Sequence, residues 1–263
     1  MLRKLFAIFK VYLSECFAYP ASSFIWVLAD AQAAIILPAV WLAASGPSGS
    51  IGGMSHSELV SYYLCSMMVS QFVICHLLWD IAWEIREGQF STLLTRPISM
   101  FSYSVARNLS WRITKSVLFI PLLLLVALLY GGIGSSNLKF GWEFWLALIG
   151  AHTLSFVAAY CVAMIALWTT EFESVFRMYY IPELFLSGRL LPLATLPDWA
   201  QAVASFLPFQ LTVSFPVQAL MGSLRTEDFV RSYVMQWAWI GAFALLGKVL
   251  YSRGLRQYTG FGN

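Results

Sequence analysis

Apolar stretches of about twenty residues recur along the whole chain, and that is the length a helix needs to cross the hydrocarbon core of a bilayer. Of the 263 residues, 59% are hydrophobic and 11% charged. A soluble domain carries about 25% charged residues, so a water-soluble globule is excluded. Backbone polar groups in lipid must be satisfied within the spanning segment or around a closed barrel. The apolar runs are continuous rather than alternating, which selects helices. The fold class expected is therefore an all-α integral membrane protein, a single transmembrane domain over 1–263. Cys16, Cys65, Cys75 and Cys161 all lie in apolar segments without C-x-x-C spacing. They read as small packing residues, with neither a disulfide nor a metal role.

Residues 1–20 do not form a signal peptide, because Lys10 and Glu15 interrupt the apolar stretch and no small-residue cleavage site follows. At helical spacing, Leu2, Leu5, Phe6, Phe9, Leu13, Cys16 and Phe17 share one face, opposite Arg3, Lys4, Lys10, Ser14 and Glu15. That pattern predicts an interfacial helix with its basic face toward anionic headgroups. Spans are expected at about 21–44, 58–83, 105–130, 142–168, 174–187 and 233–251, six in all, the fifth too short to cross alone. Arg107, Arg112 and Lys115 crowd the start of the third, where long basic side chains can snorkel toward headgroups.

Between the second and third spans, residues 84–97 are polar, with Glu84, Arg86, Glu87 and Arg96. Gly88 can break the entering helix and Pro97 closes the segment. Phe90, Leu93 and Leu94 recur at helical spacing. The segment reads as a short amphipathic helix whose apolar face needs cover, a docking element. The competing reading is a solvated loop with three scattered apolar residues. Charge sets the orientation. With the N-terminus inside, only Lys139, Arg189, Arg225 and Arg231 fall outside, and the other twelve of the 16 basic residues fall inside. Both termini and the 84–97 segment are then cytoplasmic, at the cell (inner) membrane.

Residues 188–222 are apolar yet punctuated by Gly188, Pro192, Pro197, Pro208 and Pro216. Pro197 and Asp198 suit the first turn of a short helix that runs on to Leu207. A full span would not hold those prolines, and a loop would not hold Trp199, Val203 and Phe206. The expectation is a broken hairpin that re-enters the outer leaflet, tolerated where protein covers the backbone; the alternative is a helix resting on the lipid surface.

This order of elements resembles the ABC-2-type permease subunits of bacterial ABC exporters. Three stretches carry the resemblance: EIREGQFSTLLTRPIS (84–99), FLSGRLLPLATLPDWAQAVASFLPFQ (185–210) and YSRGLRQYTGFG (251–262). The second is similar to the family's run of Gly, Pro, Leu-Pro-x-Trp and a second Leu-Pro. The resemblance implies a coupling helix at 84–97. It implies that Glu84, Arg86, Glu87, Gly88, Phe90, Leu93, Leu94, Arg96 and Pro97 dock a separate cytoplasmic ABC ATPase. Phe90, Leu93 and Leu94 would fill its groove, and the charged residues would fix orientation at the rim. ATP and Mg would belong to that partner, with no cofactor in this chain, and a second identical or related permease subunit would complete the pore.

No G-x-x-x-x-G-K-[ST], H-E-x-x-H or G-x-S-x-G occurs, so nothing in the chain marks an enzyme. Asp30 and Glu183 lie inside spans, where a charge costs about 2.5–3.5 kcal/mol on insertion scales. Each is a candidate for a translocation path, with Arg189 as a partner for Glu183, or else a neutral packing acid. The function expected is the permease half of an ATP-driven exporter of a small or amphipathic molecule. The alternatives are an ATP-independent secondary transporter, a membrane-embedded enzyme or a structural scaffold.

Overall fold

The computed structural model describes residues 2–44, 50–51, 53–130, 138–169 and 172–258. Helix α1 (Leu2–Ala18) leads into α2 (Pro20–Ala44) through Pro20, whose missing N–H costs nothing in a first turn. The two-residue strands β1 (Ser50–Ile51) and β2 (Met54–Ser55) pair antiparallel. Then α3 (His56–Val73) starts on a reciprocal cap: the Ser55 N–H donates to Glu58 at 2.8 Å, and the Glu58 N–H donates to the Ser55 hydroxyl. The chain continues with α4 (Leu77–Arg86), α5 (Gln89–Leu94), α6 (Met100–Leu129) and α7 (Trp142–Ala163), the last extended by a 3-10 turn (Met164–Leu167). After α8 (Phe172–Leu186) come α9 (Asp198–Phe206), α10 (Ser214–Met221) and the long α11 (Thr226–Gln257). Among the described residues, four stretches are long and apolar enough to cross a membrane: His56–Arg86, Met100–Leu129, Trp142–Leu167 and Thr226–Gln257. Helix α8, at 15 residues, is shorter than the roughly 20 a crossing needs. The Asp30 side chain and the 45–49 and 131–137 connections lie outside the described residues.

The single span expected at 58–83 is interrupted. Helix α3 ends at Val73, Ile74 is extended (φ −60°, ψ 126°), and α4 begins only at Leu77. A break at this depth frees backbone carbonyls that lipid cannot satisfy. Arg112 of α6 satisfies them. Its guanidinium donates to the carbonyls of Gln71 (2.5 Å), Val73 (3.1 Å) and Ile74. Asn108 donates to Cys75 Sγ at 3.0 Å, and the Tyr180 hydroxyl donates to the Cys75 carbonyl at 3.3 Å. The expected snorkelling of Arg112 and Lys115 is thereby corrected. Helix α6 starts at Met100, so both residues sit turns deep in it, and both are buried.

The core is organised by α7, which packs along α11 and also touches α3, α4 and α10. Gln236 of α11 is fully buried and donates to the Ala147 carbonyl of α7 (3.2 Å) and the Leu211 carbonyl (2.9 Å). Helix α1 lies along α6. Ile8 and Tyr12 turn inward, whereas Phe6 and Phe17 are more than half exposed. Contacts to α6 hold it there: the Ser110 hydroxyl donates to the Phe9 carbonyl (2.9 Å), and Tyr12 hydrogen-bonds Tyr103.

In the proline-punctuated region, Pro197 caps α9 as expected, and Trp199, Val203 and Phe206 project outward from it. Helix α10 is buried. Tyrosines of α3 hold the entry: the Tyr62 hydroxyl donates to the Gly188 carbonyl (2.6 Å) and the Tyr63 hydroxyl to that of Leu190 (2.9 Å). Gly188 has φ +85°, and a Cβ there would stand 2.6 Å from the Tyr62 hydroxyl. Gly188→Ala should therefore destabilise the protein by about 1–3 kcal/mol. The readout is the melting temperature of the detergent-purified protein, and an unshifted melt would mean that this junction is slack.

Candidate functional site

The 84–97 segment is not one helix. Helix α4 ends at Arg86, Gly88 turns the chain with φ +73°, and α5 spans only Gln89–Leu94. A Cβ strains such a conformation, which explains the glycine. Positions 90, 93 and 94 lie on one face of α5, with 93 and 94 at its two edges. Phe90 is fully buried and Leu93 is 9% exposed, whereas Leu94 is 40% exposed. Phe90 and Leu93 join Leu78, Ile81 and Ile85 of α4 in one cluster. Tyr258, just past α11, closes it: its ring meets Phe90 edge-on at 5.2 Å, and its hydroxyl lies 3.0 Å from that of Ser91.

The expectation that Phe90, Leu93 and Leu94 form one outward face is corrected accordingly. The chain's own α4 and tail cover the first two. Glu84 is also corrected, because it is buried and does not stand at a rim. Arg86, Glu87, Leu94, Arg96 and Pro97 are the expected docking residues that remain exposed, joined by Gln89, Thr92 and Thr95. The Lys4 ammonium of α1 donates to the Pro97 carbonyl at 3.2 Å and fixes the exit of the turn.

Beneath the turn lies an ionic cluster. Arg107 of α6 contacts Glu84 at 2.6 Å and Asp80 at 3.4 Å. Asp80 and Glu84 are one helical turn apart on α4 and so share a face. The Tyr12 ring lies 5.2 Å from the Arg107 guanidinium. Burial pushes the Tyr12 phenol above its usual range, while its hydrogen bond with Tyr103 pulls the other way. Both groups stay neutral near pH 7 and act as hydrogen-bonding spacers. The cluster joins α1, α4 and α6 beneath the turn.

A family model described as an ABC-2 family transporter protein matches residues 28–262. The chain belongs to the ABC-2 transporter family. It is an integral membrane permease of an ABC transporter, a family that associates with an ABC ATPase. No curated protein and no solved structure matches it.

The ABC-2 chain brings together a second pair anticipated from sequence. Glu183 of α8 lies 3.4 Å from Arg189, and both side chains are largely buried. Tyr179 and Tyr180 stand on the same helix as Glu183, and the Tyr179 ring meets Phe209 at 5.9 Å. Asp30, the other acid proposed for a path, has its side chain outside the described residues, so the structure does not join the two. Residues absent from the sequence-based list carry much of the architecture: Asp80, Arg107, Arg112, Tyr62 and Gln236. A signal existed for the first two, since Asp80 and Glu84 stand four residues apart opposite a basic-rich helix start. Gln236 gave none.

Proposed function

We propose that this ABC-2 chain is the membrane half of an ATP-driven exporter, and that the α4–α5 turn is the lever on which its ATPase pulls. The carrying observation is that α5 is clamped inward by Phe90 and Leu93 while its Leu94, and Arg96 just after it, are exposed. An element buried on one side transmits displacement instead of swinging freely. The joint at 74–76 gives it something to move against, because the helix is interrupted there between α3 and α4. In this reading ATP closes two ATPase subunits, each draws its docked turn, and differential contact in the two states drives rigid-body tilting.

The remaining topology follows the same proposal. Six crossings are formed by α2, by α3 with α4, by α6, by α7, by α8 with the broken 188–222 hairpin, and by α11. Both termini face the cytoplasm at the inner membrane, α1 lies in the interface, and two permease subunits enclose the path for a small or amphipathic cargo. The Glu183–Arg189 pair borders that path at the hairpin.

Docking is tested with Leu94→Asp combined with Arg96→Glu. Both residues are exposed, so membrane insertion and melting should stay as in the wild type. Mild-detergent pull-down from the native host should recover a Walker-containing soluble subunit with the wild type and lose at least about 90% of it with the variant, a change of roughly 1.4 kcal/mol or more. Undiminished recovery would overturn the docking assignment, and absence of any ATPase from wild-type pull-downs would overturn the exporter reading.

A further inference from the structure

A cavity of about 730 Å³ lies beside the ionic cluster, between α1, the start of α2, α4, α6 and α8. That is the size of a small-molecule site. Its wall is aromatic on every side. Trp26, Trp79, Trp111 and Phe176 come from four different helices, and α1 supplies Tyr12. The rings are braced from behind: Trp79 meets Phe176 edge-on at 5.2 Å, Phe176 stacks on Tyr180 at 4.2 Å, and Trp26 rests on His76 at 4.9 Å.

The charge at this wall is net negative, with Glu15 and Asp80 set against the single guanidinium of Arg107. Glu15 lines the cavity and makes no ion pair among the described residues. Asp80 also lines it, 38% exposed, and shares the single Arg107 with Glu84. Two carboxylates thus line the cavity with one guanidinium, and that guanidinium is already held by Asp80 and by Glu84. The two deeper basic groups of α6 do not line the space. Arg112 is bonded to the carbonyls at the helix break, and the Lys115 ammonium lies against the Trp111 ring at 5.4 Å. Aromatic faces attract cations through their quadrupole, and surplus carboxylates add a longer-range pull. An anion would meet repulsion from both, and the one cation in the wall, Arg107, is already paired with Asp80 and Glu84.

We propose that this cavity is a binding site for an organic cation with an aromatic or bulky apolar body, the entry site for cargo on the cytoplasmic side. The assignment of cargo rests on the exporter reading; the binding itself does not. The apolar body replaces lipid or water against the indole rings, and the charge settles between Glu15 and Asp80. Because Asp80 precedes Glu84 by one turn on α4, movement of the docking turn alters the site directly.

The test uses the purified full-length chain in phosphatidylcholine nanodiscs, without any ATPase, followed by tryptophan fluorescence. Tetraphenylphosphonium is the ligand, and tetraphenylborate is the control of the same shape and opposite charge. Saturable quenching by the cation alone is expected. Glu15→Gln, at an exposed position that leaves packing intact, should weaken it severalfold. Glu15→Gln with Asp80→Asn should weaken it by about tenfold, because both carboxylates that line the cavity are then neutral. Equal saturable quenching by tetraphenylborate, a cation curve unchanged in the double variant, or a signal that only tracks lipid content would each overturn the site. Cation binding by a chain that recruits no ATPase would uphold the site and sink the exporter reading. An ATPase-competent chain that ignores the cation would sink the site alone.

Discussion

Arg112→Met should remove most of the folded protein recovered from membranes and lower the melting temperature of the remainder more than any other single change considered. Its guanidinium closes the carbonyls of Gln71, Val73 and Ile74 where α3 stops. Each orphaned buried carbonyl costs about 1–3 kcal/mol, and domains as a whole are stable by only about 5–15 kcal/mol. Met fills a similar volume but donates nothing, so the break must either flood or straighten. Arg112→Lys should recover only part of the loss, because an ammonium is a point charge and cannot span carbonyls along a fork. The measurement is melting in mild detergent together with alkylation of Cys75, which is buried beside the break. Wild-type melting and a protected Cys75 in the Met variant would show that the break holds without its cap.

The same arginine marks the limit of what was legible in the sequence. Composition and apolar length gave the helices and most of their bounds, because lipid imposes a crude and strong requirement on each segment by itself. The expected short helix after Pro197 is α9, since proline and an acid at a first turn are a local signal. The break at 74–76 was invisible, because SQFVICHLLW contains no proline or glycine. Its cause lies 38 residues away, in a side chain that meets the freed carbonyl of Ile74. Basic residues at a span start read locally as snorkelling, and only tertiary packing turns Arg112 inward. The docking turn shows the same limit. Periodicity correctly found an apolar face on 89–94, but spacing cannot tell which chain covers it, and Tyr258 at the far end of the sequence covers Phe90. The aromatic cavity has no sequence signature at all, because its rings come from separate helices.

Arg107 offers the second large effect and the clearest separation of structural from electrostatic causes. Arg107→Met leaves Glu84, whose side chain is 10% exposed, without its partner at 2.6 Å. Removing one member of a buried pair typically costs about 3–5 kcal/mol, because the survivor keeps its desolvation penalty. Half-exposed Asp80, by contrast, retains access to water and should contribute little. The single variant is therefore expected to melt well below the wild type, and Glu84→Gln alone to fall less, since Arg107 still holds Asp80. The double variant should recover much of the loss, because no buried charge remains. Thermal unfolding of the four proteins measures the coupling directly. If instead the losses simply add, the Arg107–Glu84 contact is incidental, and α4 is held to α6 by packing around Tyr103 and Ile81. Recovery in melting without recovery of ATPase-driven transport would assign the pair a mechanical role as well. The α4–α5 turn would then be folded and docked, yet uncoupled from the helix it is meant to move.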